Sequence, residues 1–110
     1  MRGHPPEIFD GQRKNTTKFI KEFGLWKICN MRNEGMSNPF NRVALALSYI
    51  KGVHVDDWVA QQIDEVFWKA YGNNTVQPNI PPIYADNDER LWSEFVDEFV
   101  DAFGDSASEE

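Results

Sequence analysis

The run Ala44-Leu45-Ala46-Leu47-Ser48-Tyr49-Ile50-Lys51-Gly52, followed six residues later by Trp58, constrains the fold more than any other stretch of this chain. Asn38 and Pro39 open a helix there, with asparagine as cap and proline at the first helical position. Phe40, Val43, Ala44, Leu47 and Ile50 then recur at helical spacing, and Gly52 supplies the left-handed residue that closes the run. The acidic pair Asp56-Asp57 starts a new helix that suits the helix dipole, with Trp58 in its first turn. The pattern describes a small helical domain turning a tight corner, and nothing in it carries chemistry.

The rest of the chain repeats this grammar. Asn15 to about Arg32 is expected as a first helix, with Phe19, Ile20, Phe23, Trp26 and Ile28 on its apolar stripe. Gly24 inside it predicts close packing or a bend, because glycine costs about 1 kcal/mol in a helix interior. Asn33-Glu34-Gly35 ends that helix. The third helix is expected from Asp56 or Asp57 to Tyr71, burying Trp58, Val59, Ile63, Val66, Phe67 and Ala70 and stopping at Gly72. A loop follows from Gly72 to Ala85, punctuated by Asn73-Asn74, Pro78 and Pro81-Pro82. Asp86, Asn87 and Asp88 cap a fourth helix, with Asp86 and Glu89 as a capping-box-like pair. Trp92, Phe95, Val96, Phe99, Val100 and Phe103 form its stripe, which ends at Gly104. Ahead of all this, Pro5-Pro6-Glu7-Ile8-Phe9-Asp10-Gly11-Gln12 reads as an extended segment closed by a turn. A lone strand is not stable by itself, so this one lies on the helices or pairs with a partner. The division is an extended arm at 1–14, an all-α helical domain at 15–104 and an acidic tail at 105–110.

At 110 residues and 41% apolar composition, the chain has one modest core. No apolar run approaches the roughly 20 residues of a membrane span, and no signal peptide is expected at the start. The single cysteine, Cys29, suits a reducing compartment and is expected as a small buried hydrophobe, so a soluble cytoplasmic domain is anticipated. Charge is unevenly spread. Residues 1–52 carry nine Lys or Arg against four Asp or Glu, and residues 53–110 carry two against fourteen. Solvated faces account for this simply. Attraction between unlike faces of neighbouring copies is the sharper reading. The net charge of −7 argues against nucleic-acid binding, which needs clustered cations.

Candidate chemistry is sparse. His4 and His54 are the only groups that titrate near neutrality, and neither neighbours a nucleophile in sequence. There is no metal-ligand spacing, no phosphate-binding glycine loop and no nucleophile elbow. Asp56-Asp57 and Asp64-Glu65 read as helix-start and solvated-face acids. No catalytic residue, metal ligand or cofactor is expected. The four tryptophans and eight phenylalanines fall mostly on helix stripes, although they are numerous enough for some to line a groove.

Taken together, the Pro-x-x-Phe-Asp-Gly arm, the aromatic first helix (Phe19, Phe23, Trp26), Ala46-Leu47-Ser48-Tyr49-Ile50-Lys51-Gly52 followed by Trp58, and the closing Trp92, Phe95, Phe99, Phe103 series carry a resemblance. Across residues 5–104 the chain resembles the N-terminal lobe of the capsid domain in Gag polyproteins of gypsy-type LTR retrotransposons. It is also similar to the corresponding lobe of their domesticated neuronal relative, the activity-regulated cytoskeleton-associated protein. The resemblance implies a compact four-helix, retroviral-capsid-like lobe with an extended N-terminal arm. Its implied function is self-assembly with other Gag or capsid subunits into intracellular particles. Members join through a C-terminal lobe and bind RNA through a zinc knuckle, neither of which matches any part of this sequence, so this lobe itself is not expected to bind nucleic acid. The domesticated relative implies a second use, an adaptor that holds short linear peptides in a hydrophobic groove. The matching positions are Phe19 and Trp26 on the first helix, Tyr49 and Lys51 after the second, and Ile8 and Phe9 in the arm. Lys51 departs from the uncharged polar residue expected there. The competing possibility is that the chain's own arm fills the groove.

Overall fold

The computed structural model describes residues 2–72 and 81–104. Most of the expected 72–85 loop and the acidic tail at 105–110 therefore lie outside the described residues. Among those described there are five α-helices and one short 3-10 turn at Arg13–Asn15. We number the helices α1 (Thr16–Cys29), α2 (Glu34–Ser37), α3 (Pro39–Leu47), α4 (Asp56–Tyr71) and α5 (Arg90–Phe103). Four correspond to the expected helices. The fifth, α2, is a single turn where only a stop was anticipated; the Asn33 side chain accepts from the Gly35 amide, and the Asn38 side chain then caps α3 by accepting from the Asn41 amide.

The amphipathic stripe of α5 organises the molecule. Leu91, Phe95 and Phe99 are buried along it, and the other long helices pack around them. On one flank α1 brings Phe23 to 5.2 Å from Trp92 and Phe19 to 5.4 Å from Phe99, measured between ring centroids. The Thr16 hydroxyl ties the same flank down by donating to the Phe103 carbonyl at 2.6 Å. On another flank Trp58 of α4 sits 5.9, 5.8 and 5.1 Å from Phe95, Phe99 and Phe103. Val43, Ala46 and Leu47 of α3 close the core.

The N-terminal segment buries two residues, Pro6 and Phe9, and it is Phe9 that enters the aromatic core. Phe9 is buried, with its ring 5.0 Å from Phe99 and 5.2 Å from Phe103. Its backbone forms an isolated parallel bridge with Ile50: the Phe9 amide donates to the Tyr49 carbonyl at 2.8 Å, and the Lys51 amide donates to the Phe9 carbonyl at 3.0 Å. The corner after α3 thus supplies the backbone partners that a lone extended segment lacks. Gly52, with φ +142, is not the closing residue of α3, which ends at Leu47. It lies beside the segment, where an added Cβ would stand 3.4 Å from the Asp10 Cβ. Glycine is needed there for a positive φ next to a closely approaching chain.

Several expected details differ. The stripe of α4 is rotated: Gln62, Val66 and Ala70 are buried, whereas Ile63 and Phe67 are exposed. On α1, Ile28 is 72% exposed. Cys29 is exposed too, since the helix ends there with both residues on the outer face. Val100 is likewise exposed on α5. Gly24 meets nothing within 4 Å of a built Cβ, so close packing does not explain it. The expected pair of Asp86 and Glu89 is absent. Asp88 accepts from the Arg90 amide at 2.9 Å, and Glu89 is engaged by Arg42 instead.

Candidate functional site

The six groove positions fall at one end of the molecule, between α1, the N-terminal segment and the corner after α3, in two layers. Phe9, Phe19 and Trp26 lie in the core, with Phe9 and Phe19 5.8 Å apart and Trp26 edge-on to the half-buried Tyr49 at 5.5 Å. Ile8 and Lys51 are exposed on the outside. The segment is held along its length. The Arg2 amide donates to the Asn30 side chain at 2.6 Å, and Glu7 pairs with Lys18 at 2.6 Å. That hydrogen bond from Lys18 holds the Glu7 carboxyl below its ordinary value. Between segment and helix there remains a depression of about 20 Å³ lined by Glu7, Ile8, Phe9, Asn15, Lys18, Phe19 and Glu22. A cavity needs roughly 10–15 Å³ to hold one water, so this space admits little more than that. With the segment in place, the groove is closed by the chain itself.

One atom there lacks a partner. The Trp26 indole Nε1–H is buried and is not hydrogen-bonded. Its ring lies under the N-terminal segment, where a Cβ on Gly3 would stand 3.9 Å from the indole Cδ1. A buried donor left unmade costs about 1–3 kcal/mol, so an acceptor placed there would be favoured.

Two polar clusters, neither legible as a site from sequence, stitch the helices together. The fully buried Arg42 guanidinium donates to the Met36 carbonyl at 2.7 Å, the Ser37 carbonyl at 3.2 Å and both Glu89 oxygens at 2.8 and 3.2 Å. It lies 5.3 Å from the centre of the Trp92 ring. All three guanidinium nitrogens donate, in four hydrogen bonds, and the paired carboxylate balances the buried charge. The second cluster lies on the α4–α5 seam. The Lys69 ammonium reaches Glu65 at 2.9 Å, Glu94 at 2.7 Å and Glu98 at 3.7 Å. Gln62 donates to Glu98 at 2.7 Å, and the Tyr84 hydroxyl donates to Glu94. Burial opposes the charge on Lys69, but hydrogen bonds to Glu65 and Glu94 outweigh it and push the ammonium's pKa up. Hydrogen bonds from Lys69 and Tyr84 hold Glu94 low. Burial and the neighbouring Glu65 raise Glu98. The segment before α5 is fastened to this seam, since the Ile83 and Tyr84 amides both donate to the Lys69 carbonyl at 2.8 and 2.9 Å.

These clusters join helices, and their groups are engaged with one another. A wide concavity of about 730 Å³ at the end of α1 is lined by Arg2, Ile28, Cys29, Asn30, Met31, Arg32 and Asn33. The Asn30 side-chain amide is already committed there, donating to the Arg2 and Trp26 carbonyls. Among the described residues no three His, Cys, Asp or Glu side chains are grouped to hold a metal ion, and no helix is long and apolar enough to cross a membrane. The chain matches no family model, no curated protein and no solved structure.

Proposed function

We propose that this chain is a capsid N-lobe of the retrotransposon Gag type, and that its work is self-association through protein–protein contacts. One observation carries the reading. The separate pieces of sequence on which the resemblance rests meet at a single place. Phe9 of the Pro-x-x-Phe-Asp-Gly segment touches Phe19 of α1 and Phe99 and Phe103 of α5, and it bridges the Tyr49–Lys51 corner. Their mutual burial is what a lobe of that kind needs, and it supports the reading. The uneven charge and the large apolar side chains on outer helix faces suit contacts between copies. Electron microscopy of the concentrated protein at low salt tests the proposal. Regular rings, tubes or shells are expected; dispersed single particles of one chain at every concentration would refute it.

The buried, unpaired indole of Trp26 favours a second reading, the peptide-binding adaptor. An extended ligand replacing residues 2–9 would bring backbone carbonyls over that donor and inherit the bridge that Phe9 makes to the corner, as in β-augmentation. Tyr49→Asp is the right probe because Tyr49 is only half-buried, whereas Phe19→Ala would unfold what it is meant to test. Peptide selection that yields no ligand for the wild-type chain, or a ligand indifferent to Tyr49→Asp, would remove this reading.

A further inference from the structure

The outer faces of α1 and α4 carry matched patterns of opposite charge. Lys14, on the 3-10 turn that leads into α1, is followed at seven-residue steps by Lys21 and Ile28 on α1 itself, with Leu25 between the last two, and all four are exposed. On α4, Asp57, Asp64 and Tyr71 are also seven apart, with Phe67 between the last two, and all four are exposed. Each face therefore runs from charge to charge to apolar in the same direction, at about 10 Å per step along a helix. Leu25 and Ile28 are 65% and 72% exposed, and Phe67 and Tyr71 are 51% and 50%. Lys14 and Lys21 form no ion pair among the described residues, and neither do Asp57 and Asp64. Lys18 lies on the same side of α1 but is engaged by Glu7 and Glu22.

Within one chain these faces do not meet. The inward side of α1 is held to α5 by Phe23 on Trp92, and the inward side of α4 is held to α5 by Gln62 on Glu98 and Lys69 on Glu94. The two outer faces thus look away from different flanks of α5. We propose that the α1 face of one copy docks in parallel on the α4 face of a second copy, Lys14 and Lys21 meeting Asp57 and Asp64, and Leu25 and Ile28 covering Phe67 and Tyr71. The inference rests on the self-association reading and names its partner surfaces. The occupant is a second copy because the face complementary in both charge and apolar order belongs to this same chain. Since the two halves of the contact are different surfaces, it is heterologous and propagates into rings or open chains rather than closing at a dimer.

Charge exchange tests it without touching the core, since all four charged side chains are exposed. K14E/K21E and D57K/D64K are each expected to weaken association at low salt at least tenfold by sedimentation velocity, with melting temperatures showing that both remain folded. Mixing them in equal amounts should restore large species, because each altered face then matches the other protein's, and the four changes in one chain should restore them too. If the wild-type chain associates and either variant associates equally well, or if mixing fails to restore mass, these faces are wrong while self-association stands. A wild-type chain that never associates removes both.

Discussion

The two flanks of α5 are held by different forces. On the α1 flank, Phe9 and Phe19 meet Phe99, and Phe23 meets Trp92, through carbon alone, while Thr16 contributes one hydrogen bond to the Phe103 carbonyl. Along the lower α4 flank, one ammonium is shared among three carboxylates, with Gln62 and Tyr84 completing the set. Apolar burial is non-directional and scales with area, so the first flank supplies stability. A charged seam gives little net stability but penalises misalignment, so the second fixes how α4 is rotated.

The largest effect that breaks this comparison is expected on the apolar flank. Phe99→Ala removes a fully buried ring that touches Phe9, Phe19, Phe95, Phe103 and Trp58. Denaturant titration should show a loss of about 3–5 kcal/mol that changes little between pH 4 and 8. Lys69→Met attacks the other flank and leaves three carboxylates without their cation. A loss of about 2 kcal/mol at pH 7 is expected, less than for a fully buried pair because the carboxylates keep some water. That loss should shrink as pH falls and the carboxylates take up protons. A Lys69→Met penalty that is independent of pH would mean the seam is apolar packing after all.

The smallest effect carries the finest sign. Glu94 is held below its ordinary value of 4.5, so its stabilisation is present above that pH and disappears as pH falls through the folded-state value. Glu98 is raised above 4.5 by burial and by Glu65, so it works in the opposite sense, costing stability as pH climbs from 4.5 through its folded-state value. Glu98→Gln keeps the size and removes the charge. It should raise stability at pH 7 by about 0.5 kcal/mol after solvent screening, and leave stability at pH 4 unchanged. A decrease at pH 7 would show that Lys69 needs all three charges.

The comparison also explains what the sequence conceals. Helix α5 is legible because most of its apolar residues lie on one stripe, as Phe95 and Phe99 illustrate; on α1 the buried Phe19, Phe23 and Trp26 are legible, but Leu25 and Ile28 lie on the opposite face and the expectation for Ile28 fails. Helix α4 is not legible in this way. Its apolar residues include Trp58, Trp68 and Tyr71 beside Val59, Ile63, Val66, Phe67 and Ala70, and together they wrap more than half the helix, so periodicity alone leaves the buried half undecided. Lys69 decides it by turning toward Glu94, which takes Gln62 inward and leaves Ile63 and Phe67 outside. Arg42 was missed for a similar reason: a cation in an apolar helix looks like a surface residue until Glu89, 47 positions later, is seen to reach it. The bridge between Phe9 and Ile50 needed the fold itself, because neither stretch advertises its partner. For the candidate groove, the resemblance named six residues without separating core from surface. Phe9, Phe19 and Trp26 belong to the first, Ile8 and Lys51 to the second, and Tyr49 lies between.

The exposed, oppositely charged faces of α1 and α4 are where we propose that copies of the chain meet. Sedimentation equilibrium across rising protein concentration, in low and in high salt, addresses that most directly. The account predicts an average mass that climbs above the 12.7 kDa of one chain as concentration rises at low salt, and falls back when salt screens the charges. A mass fixed at 12.7 kDa throughout would contradict it.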